Sequence, residues 1–97
     1  MQRITNNQLE SLVTYINTLT DSPQTPYTRD EQGHLKANVG NFHLYFAYGG
    51  VNVHRMSNES GGVNTPICSG CTTKRELFEK MHSFIRGLEF NKYNKEA

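Results

Sequence analysis

Phe42-His43-Leu44-Tyr45-Phe46-Ala47-Tyr48-Gly49-Gly50-Val51-Asn52-Val53-His54-Arg55-Met56 is the stretch that decides the fold. Apolar side chains at 42, 44, 46 and 48 alternate with His43, Tyr45 and Ala47, the period of a half-buried strand. Gly49-Gly50 supplies the positive φ angles that a two-residue hairpin turn requires, and a returning strand then runs from Val51 to Met56. That turn sets Tyr48 opposite Val51, Phe46 opposite Val53 and Leu44 opposite Arg55 on one apolar face, with Arg55 at its rim. Ala47/Asn52, Tyr45/His54 and His43/Met56 fall on the other, mixed face. The apolar face is expected to meet helices and the mixed face to meet solvent or a partner.

Helices flank the hairpin on both sides in sequence. Leu9, Leu12, Val13, Ile16 and Leu19 share one helical face. Thr5 and Gln8 form a capping box, and Ile4 and Leu9 occupy the staple positions. Asp21-Ser22-Pro23 ends this helix near Thr20. Residues 21–34 read as a connection with a turn at Asp30-Glu31-Gln32-Gly33, followed by a short strand from Leu35 to Val39 and a turn at Gly40-Asn41. After the hairpin, Ser57 to Cys71 is a long loop rich in Ser, Asn and Gly. Leu77, Phe78, Met81, Phe84, Ile85 and Leu88 then mark a second helix, opened by a Thr73/Glu76 capping box and stopped at Gly87. The expected fold class is α+β: an N-terminal helix, a small antiparallel sheet of two or three strands, a long Gly-rich loop and a C-terminal helix. It forms a single domain over residues 1–88, with a polar C-terminal tail over 89–97.

Composition narrows the function. Ninety-seven residues, 35% of them hydrophobic, make one domain with a thin core. Oligomerisation is one way for such a chain to gain more. No apolar run reaches membrane-spanning length, and Met1 to Asn7 lacks the apolar stretch of a signal peptide, so a soluble cytosolic domain is expected. A net charge of +1 argues against binding DNA or RNA duplexes by phosphate neutralisation. Two cysteines are too few for a secreted disulfide framework.

The loop and the start of the second helix carry the most chemistry. Gly61 and Gly62 allow a ligand to approach the backbone closely. Thr72 and Thr73 bring hydroxyls to a helix N-terminus, and Lys74 and Arg75 add cations there. Cations in a first turn oppose the helix dipole, so local stability does not explain them; a bound anion does, and solvated side chains beside an ordinary cap are the plainer alternative. Phe42, Tyr45, Phe46 and Tyr48 can stack on a base, although core is the simpler role for Phe42 and Phe46. Tyr48 sits at the hairpin tip, where a ring can be exposed. Asn58 can bond a base edge or ribose, or simply form a turn. Cys68-Ser69-Gly70-Cys71 is a single C-x-x-C with no second pair and no histidines at zinc-ligand spacing, so a free thiol pair is expected rather than a metal. No hydrolase, zinc-protease or nucleotide-triphosphatase motif is present, and Glu59 with scattered histidines defines no acid–base pair.

Asn7-x-Leu9-Glu10-x-Leu12-Val13, Pro26-Tyr27-Thr28, Gly40-Asn41-x-His43-Leu44, Ala47-Tyr48-Gly49-Gly50-Val51, Gly61-Gly62-Val63 and Lys74-Arg75-Glu76-Leu77 together resemble small bacteriophage proteins. The resemblance spans about residues 4–88 and is to the first type of phage Thoeris anti-defence sponge, proteins that sequester cyclic ADP-ribose immune signals without cleaving them. It implies a nucleotide pocket in the host cytoplasm with an aromatic ring on adenine, an asparagine, and an arginine facing the diphosphate. Tyr48, Asn58 and Arg75 match these, ten and seventeen positions apart. It also implies a homo-oligomer, no enzymatic activity and no cofactor, with a second site for cyclic oligonucleotides for which Arg3 and Arg29 are candidates. Two other classes compete. One is a protein that inhibits a host defence enzyme by direct contact through the mixed sheet face of Tyr45, His54, His43 and Met56 and the polar tail. The other is a nucleotide-degrading enzyme, which would consume the signal.

Overall fold

The computed structural model describes residues 3–95 and has an α+β fold. The chain runs α1 (Asn6–Leu19), β1 (Tyr27–Arg29), β2 (Leu35–Ala37), β3 (Phe42–Ala47), β4 (Gly50–Met56), β5 (Val63–Asn64) and α2 (Lys74–Lys95). β3, β4 and β5 form one antiparallel sheet with β4 in the centre, and β1 pairs with β2 in a separate ribbon.

α1 starts as its sequence dictates. Thr5 Oγ1 accepts from the Gln8 amide at 3.2 Å, and Gln8 Oε1 accepts from the Thr5 amide at 2.7 Å, so two orphan donors are satisfied reciprocally. Leu9, Val13, Ile16 and Asn17 are buried. Thr20 closes the helix by donating its amide to the Ile16 carbonyl, and Asp21 turns the chain away at a φ of 54°.

The two helices cover one face of the sheet. Phe42, Val51 and Val53 meet Leu9, Val13 and Ile16 of α1 and Leu77, Met81 and Ile85 of α2, all buried. The Phe42 ring tilts against Phe84 at 5.9 Å, and the Arg55 guanidinium lies 5.9 Å from the same ring, at the rim where its alternation placed it.

The hairpin differs from the expected one by a two-residue slip. Its tip is Tyr48-Gly49, both at positive φ (54° and 72°), so Phe46 faces Val51, Leu44 faces Val53 and Phe42 faces Arg55. A slip of two leaves every side chain on its assigned face. Gly50 belongs to the strand for a different reason: a Cβ there would lie 2.8 Å from the Thr72 carbonyl oxygen and 3.2 Å from Cys71 Cβ. The glycine is needed for close approach, and the left-handed turn position falls to a tyrosine.

Four further expectations are corrected. The connection over 21–34 contains β1, which pairs Tyr27 with Ala37 and Arg29 with Leu35. β2 correspondingly ends at Ala37, short of Val39. The 57–71 loop contains β5, which pairs Val63 with Met56. Gly87 does not stop α2, which continues through it to Lys95 and makes most of the presumed tail helical. A glycine on an exposed helix face costs only about 1 kcal/mol, and no proline follows to end the helix.

Candidate ligand groove

Three buried asparagines hold the irregular backbone that shapes the site. Asn17 clamps the start of β3: its Nδ2 donates to the Phe42 carbonyl at 3.0 Å and its Oδ1 accepts the Phe42 amide at 2.8 Å. Asn41 donates to the Pro23 carbonyl at 2.8 Å. Asn52 fills the gap on the outer edge of β4, accepting the Val53 amide at 2.7 Å and donating to the Cys68 carbonyl at 3.2 Å. Between them these side chains stand in for missing ladder partners.

Just beyond Asn52, the chain entering α2 closes on β4. Val51 and Thr72 exchange both backbone hydrogen bonds at 2.9 Å. Thr73 caps α2, its Oγ1 accepting the Glu76 amide at 3.1 Å, while the Thr72 hydroxyl donates to the Glu76 carboxylate. A groove of about 380 Å³ opens here, lined by Phe46, Ala47, Gly49, Gly50 and Val51 from the hairpin and Thr72, Thr73 and Lys74 from the helix entry. Its size lies within the range of small-ligand sites, and it joins an apolar wall to a few polar groups. Lys74 also borders a shallower depression with Arg3, Ile4, Thr5, Asn6 and Asn7, so this residue lies beside the N-termini of both helices.

Of the residues singled out from sequence, Phe46, Thr72 and Thr73 line this groove. Tyr48 lies in the chain between the lining residues Ala47 and Gly49 but is not itself among them, and it is 99% exposed. Arg75 follows Lys74 in the first turn of α2, half-buried, and is not among the lining residues. Asn58, Gly61 and Gly62 lie elsewhere, past the far end of β4, whose seven residues span about 20 Å. There Asn58 Oδ1 accepts the Ser60 amide at 3.0 Å and the Gly62 amide at 2.9 Å, the turn-forming role. A Cβ on Gly62 would lie 2.3 Å from Asn58 Nδ2, so that glycine serves the turn. The expected constellation is thus divided, and a single chain does not bring Asn58 to Tyr48. Arg29 bonds the Gly33 carbonyl at 2.8 Å within its own ribbon, far in sequence from the exposed Arg3.

Sequence reasoning missed Gly50 and undervalued Lys74. A glycine next to a glycine reads as turn, and only the Thr72 backbone pressed against it reveals the other role.

The mixed face of the hairpin holds a ring cluster. Tyr45 stacks on His54 at 4.2 Å and 17°, and His43 meets His54 edge-on at 5.8 Å, with its Nδ1 3.0 Å from Asn41 Oδ1. Burial holds both imidazoles below the usual histidine range, and the His54 charge adds to this for His43. Met56, expected on this exposed face, is buried. Cys68 is buried and Cys71 half-buried, both as free thiols. Among the described residues no three His, Cys, Asp or Glu side chains gather as a metal site, and no helix is long and apolar enough to cross a membrane. No family profile, curated protein or solved structure matches this chain.

Proposed function

We propose that the chain is a phage anti-defence sponge that binds a cyclic ADP-ribose-type nucleotide in the groove between the hairpin tip and the start of α2, and holds it uncleaved in the host cytoplasm. The observation that carries this reading is Tyr48. It occupies a left-handed backbone position that costs a non-glycine residue about 1–2 kcal/mol, yet its ring is 99% exposed and adds nothing to the core. Strain of this kind concentrates at functional positions. Its chain neighbours Ala47 and Gly49 line the groove, where Phe46, Ala47 and Val51 make an apolar wall suited to an adenine face. At the other end of the groove Lys74, the Thr73 hydroxyl and the α2 N-terminus suit a diphosphate, with Arg75 one residue further along the first turn, whereas the Thr72 hydroxyl is given to the Glu76 carboxylate.

Asn58 takes no part in this single-chain site. The contact-inhibitor alternative loses one of its four surface residues, because Met56 is 1% exposed. The test is capture and release: incubation with cyclic ADP-ribose isomers, removal of free ligand, heat denaturation and mass spectrometry. Intact ligand in amounts matching the protein is expected. A hydrolysed product would make the protein an enzyme, and no capture would overturn the nucleotide reading.

A further inference from the structure

We propose that Cys68 and Cys71 form a thiol–disulfide exchange site: Cys71 reacts with a low-molecular-weight disulfide, and Cys68 resolves the product to an internal disulfide that clasps the entry of α2 onto β4. The inference goes beyond the nucleotide reading and does not depend on it.

Two anchors gather the cysteines about one residue of β4. Val51 and Thr72 form an antiparallel bridge, which sets the preceding Cys71 opposite the next residue of the strand, Asn52. The Asn52 side chain in turn holds the Cys68 carbonyl at 3.2 Å. An extended chain would carry Cys68 about 10 Å beyond Cys71, but this one bends at Ser69 and Gly70 and returns. Disulfides span Cα separations of about 4.4–6.8 Å, the range found across a four-residue bend. Gly70 has open space around it, so the bend is free to adjust as the sulfurs join. Both cysteines border one depression of about 250 Å³.

Burial divides the roles. Cys71 is half-buried on the open depression, where a reagent can reach its Sγ. Cys68 is 8% exposed and meets only a group already attached to its neighbour. The Cys71 thiolate attacks one sulfur of the reagent RS–SR, forming Cys71–S–SR and expelling RS⁻, which takes up the proton that Cys71 gave. The Cys68 thiolate then attacks Cys71 Sγ, closing the internal disulfide and expelling a second RS⁻, which takes up the proton from Cys68. Two thiols are oxidised and one disulfide is reduced to two RSH. Lys80 lines the same depression and suits a reagent that carries carboxylates, as glutathione does. Glu76 lines it too, but its carboxylate accepts from the Thr72 hydroxyl. Because Cys71 directly precedes the bridging Thr72, the disulfide ties the Asn52 anchor to the Val51 anchor.

The test is incubation of the full chain with oxidised glutathione, acid quenching and mass spectrometry of the intact protein. The wild type is expected to lose two hydrogens and both titratable thiols and to retain no glutathione. Cys68→Ala, which keeps that buried position apolar, is expected to retain one glutathione on Cys71, whereas Cys71→Ser retains none. In the oxidised wild type, hydrogen exchange at the Val51 and Thr72 amides is expected to slow roughly tenfold relative to the reduced protein, because the clasp opposes local opening. The wild-type results keep the test decisive if Cys68→Ala does not fold. A wild type that keeps both thiols, one that accumulates glutathione, disulfide-linked pairs of chains, attachment at Cys68 in Cys71→Ser, or unchanged exchange after oxidation would overturn the proposal.

Discussion

Val51 and Thr72 exchange two backbone hydrogen bonds at 2.9 Å, and this one bridge brings the entry to α2 onto the hairpin beside its tip. Without it the groove has one wall. The bridge is possible because Gly50 has no side chain, so a residue read as turn chemistry is a spacer between two backbones.

Gly50→Ala is therefore expected to destabilise the protein by about 1–3 kcal/mol, the usual cost of overpacking, and to abolish ligand binding. The new Cβ meets fixed backbone at 2.8 Å, which cannot swing away as a flexible side chain would. Urea denaturation measures the first effect and calorimetric titration the second. An unchanged denaturation midpoint would show that the bridge is not tight.

Tyr48→Asn separates fold from function. Asn-Gly is the preferred pair for a two-residue turn of this kind, so stability is expected to rise by about 0.5–1 kcal/mol as the strained position is relieved. Binding is expected to weaken roughly tenfold or more, since stacking on a ring is worth about 1–3 kcal/mol per base. A variant that is more stable and still binds fully would remove Tyr48 from the site.

Asn17→Ala leaves the buried Phe42 amide and carbonyl without their partner. A loss of about 1–3 kcal/mol is expected for each unsatisfied group, read as a lower thermal midpoint. A midpoint within experimental scatter of wild type would mean that water or a shifted backbone replaces the clamp.

Stability is also expected to depend on pH through His43 and His54. Both bind protons less readily folded than unfolded, so the unfolded chain gains protons first as pH falls. Stability is then complete above about pH 6.5, the ordinary histidine value, and declines as pH drops through the lowered folded values. Urea midpoints across that window should fall for wild type and flatten in His43→Gln/His54→Gln. A flat wild-type profile would show that the cluster is as solvated as free histidine.

The elements with strong periodicity were legible in the sequence: α1 with its Thr5/Gln8 box, the β3–β4 pair and the buried stripe of α2. β1 was not, because Tyr27, Thr28 and Arg29 are all exposed and three residues carry no alternation. The end of α2 was misjudged because Gly87 is tolerated on an exposed face rather than used as a stop. At the site, Phe46, Thr72 and Thr73 were legible from residue type and position along helix or strand. The separation of Asn58 from Tyr48 was not, since it depends on which end of β4 each loop leaves. Asn17 and Asn52 were invisible for a related reason: an asparagine that pairs with distant backbone has no local pattern.

The central claim is that the groove bounded by Phe46, Gly50, Thr72 and Lys74 is where the nucleotide binds. Amide chemical shifts of the isotopically labelled chain, followed during titration with cyclic ADP-ribose isomers, test it most directly. The account predicts that the signals of Gly49, Gly50, Val51, Thr72, Thr73 and Lys74 move together and saturate. Movement centred instead on Asn58, Gly61 and Gly62, or no movement with any isomer, would contradict it.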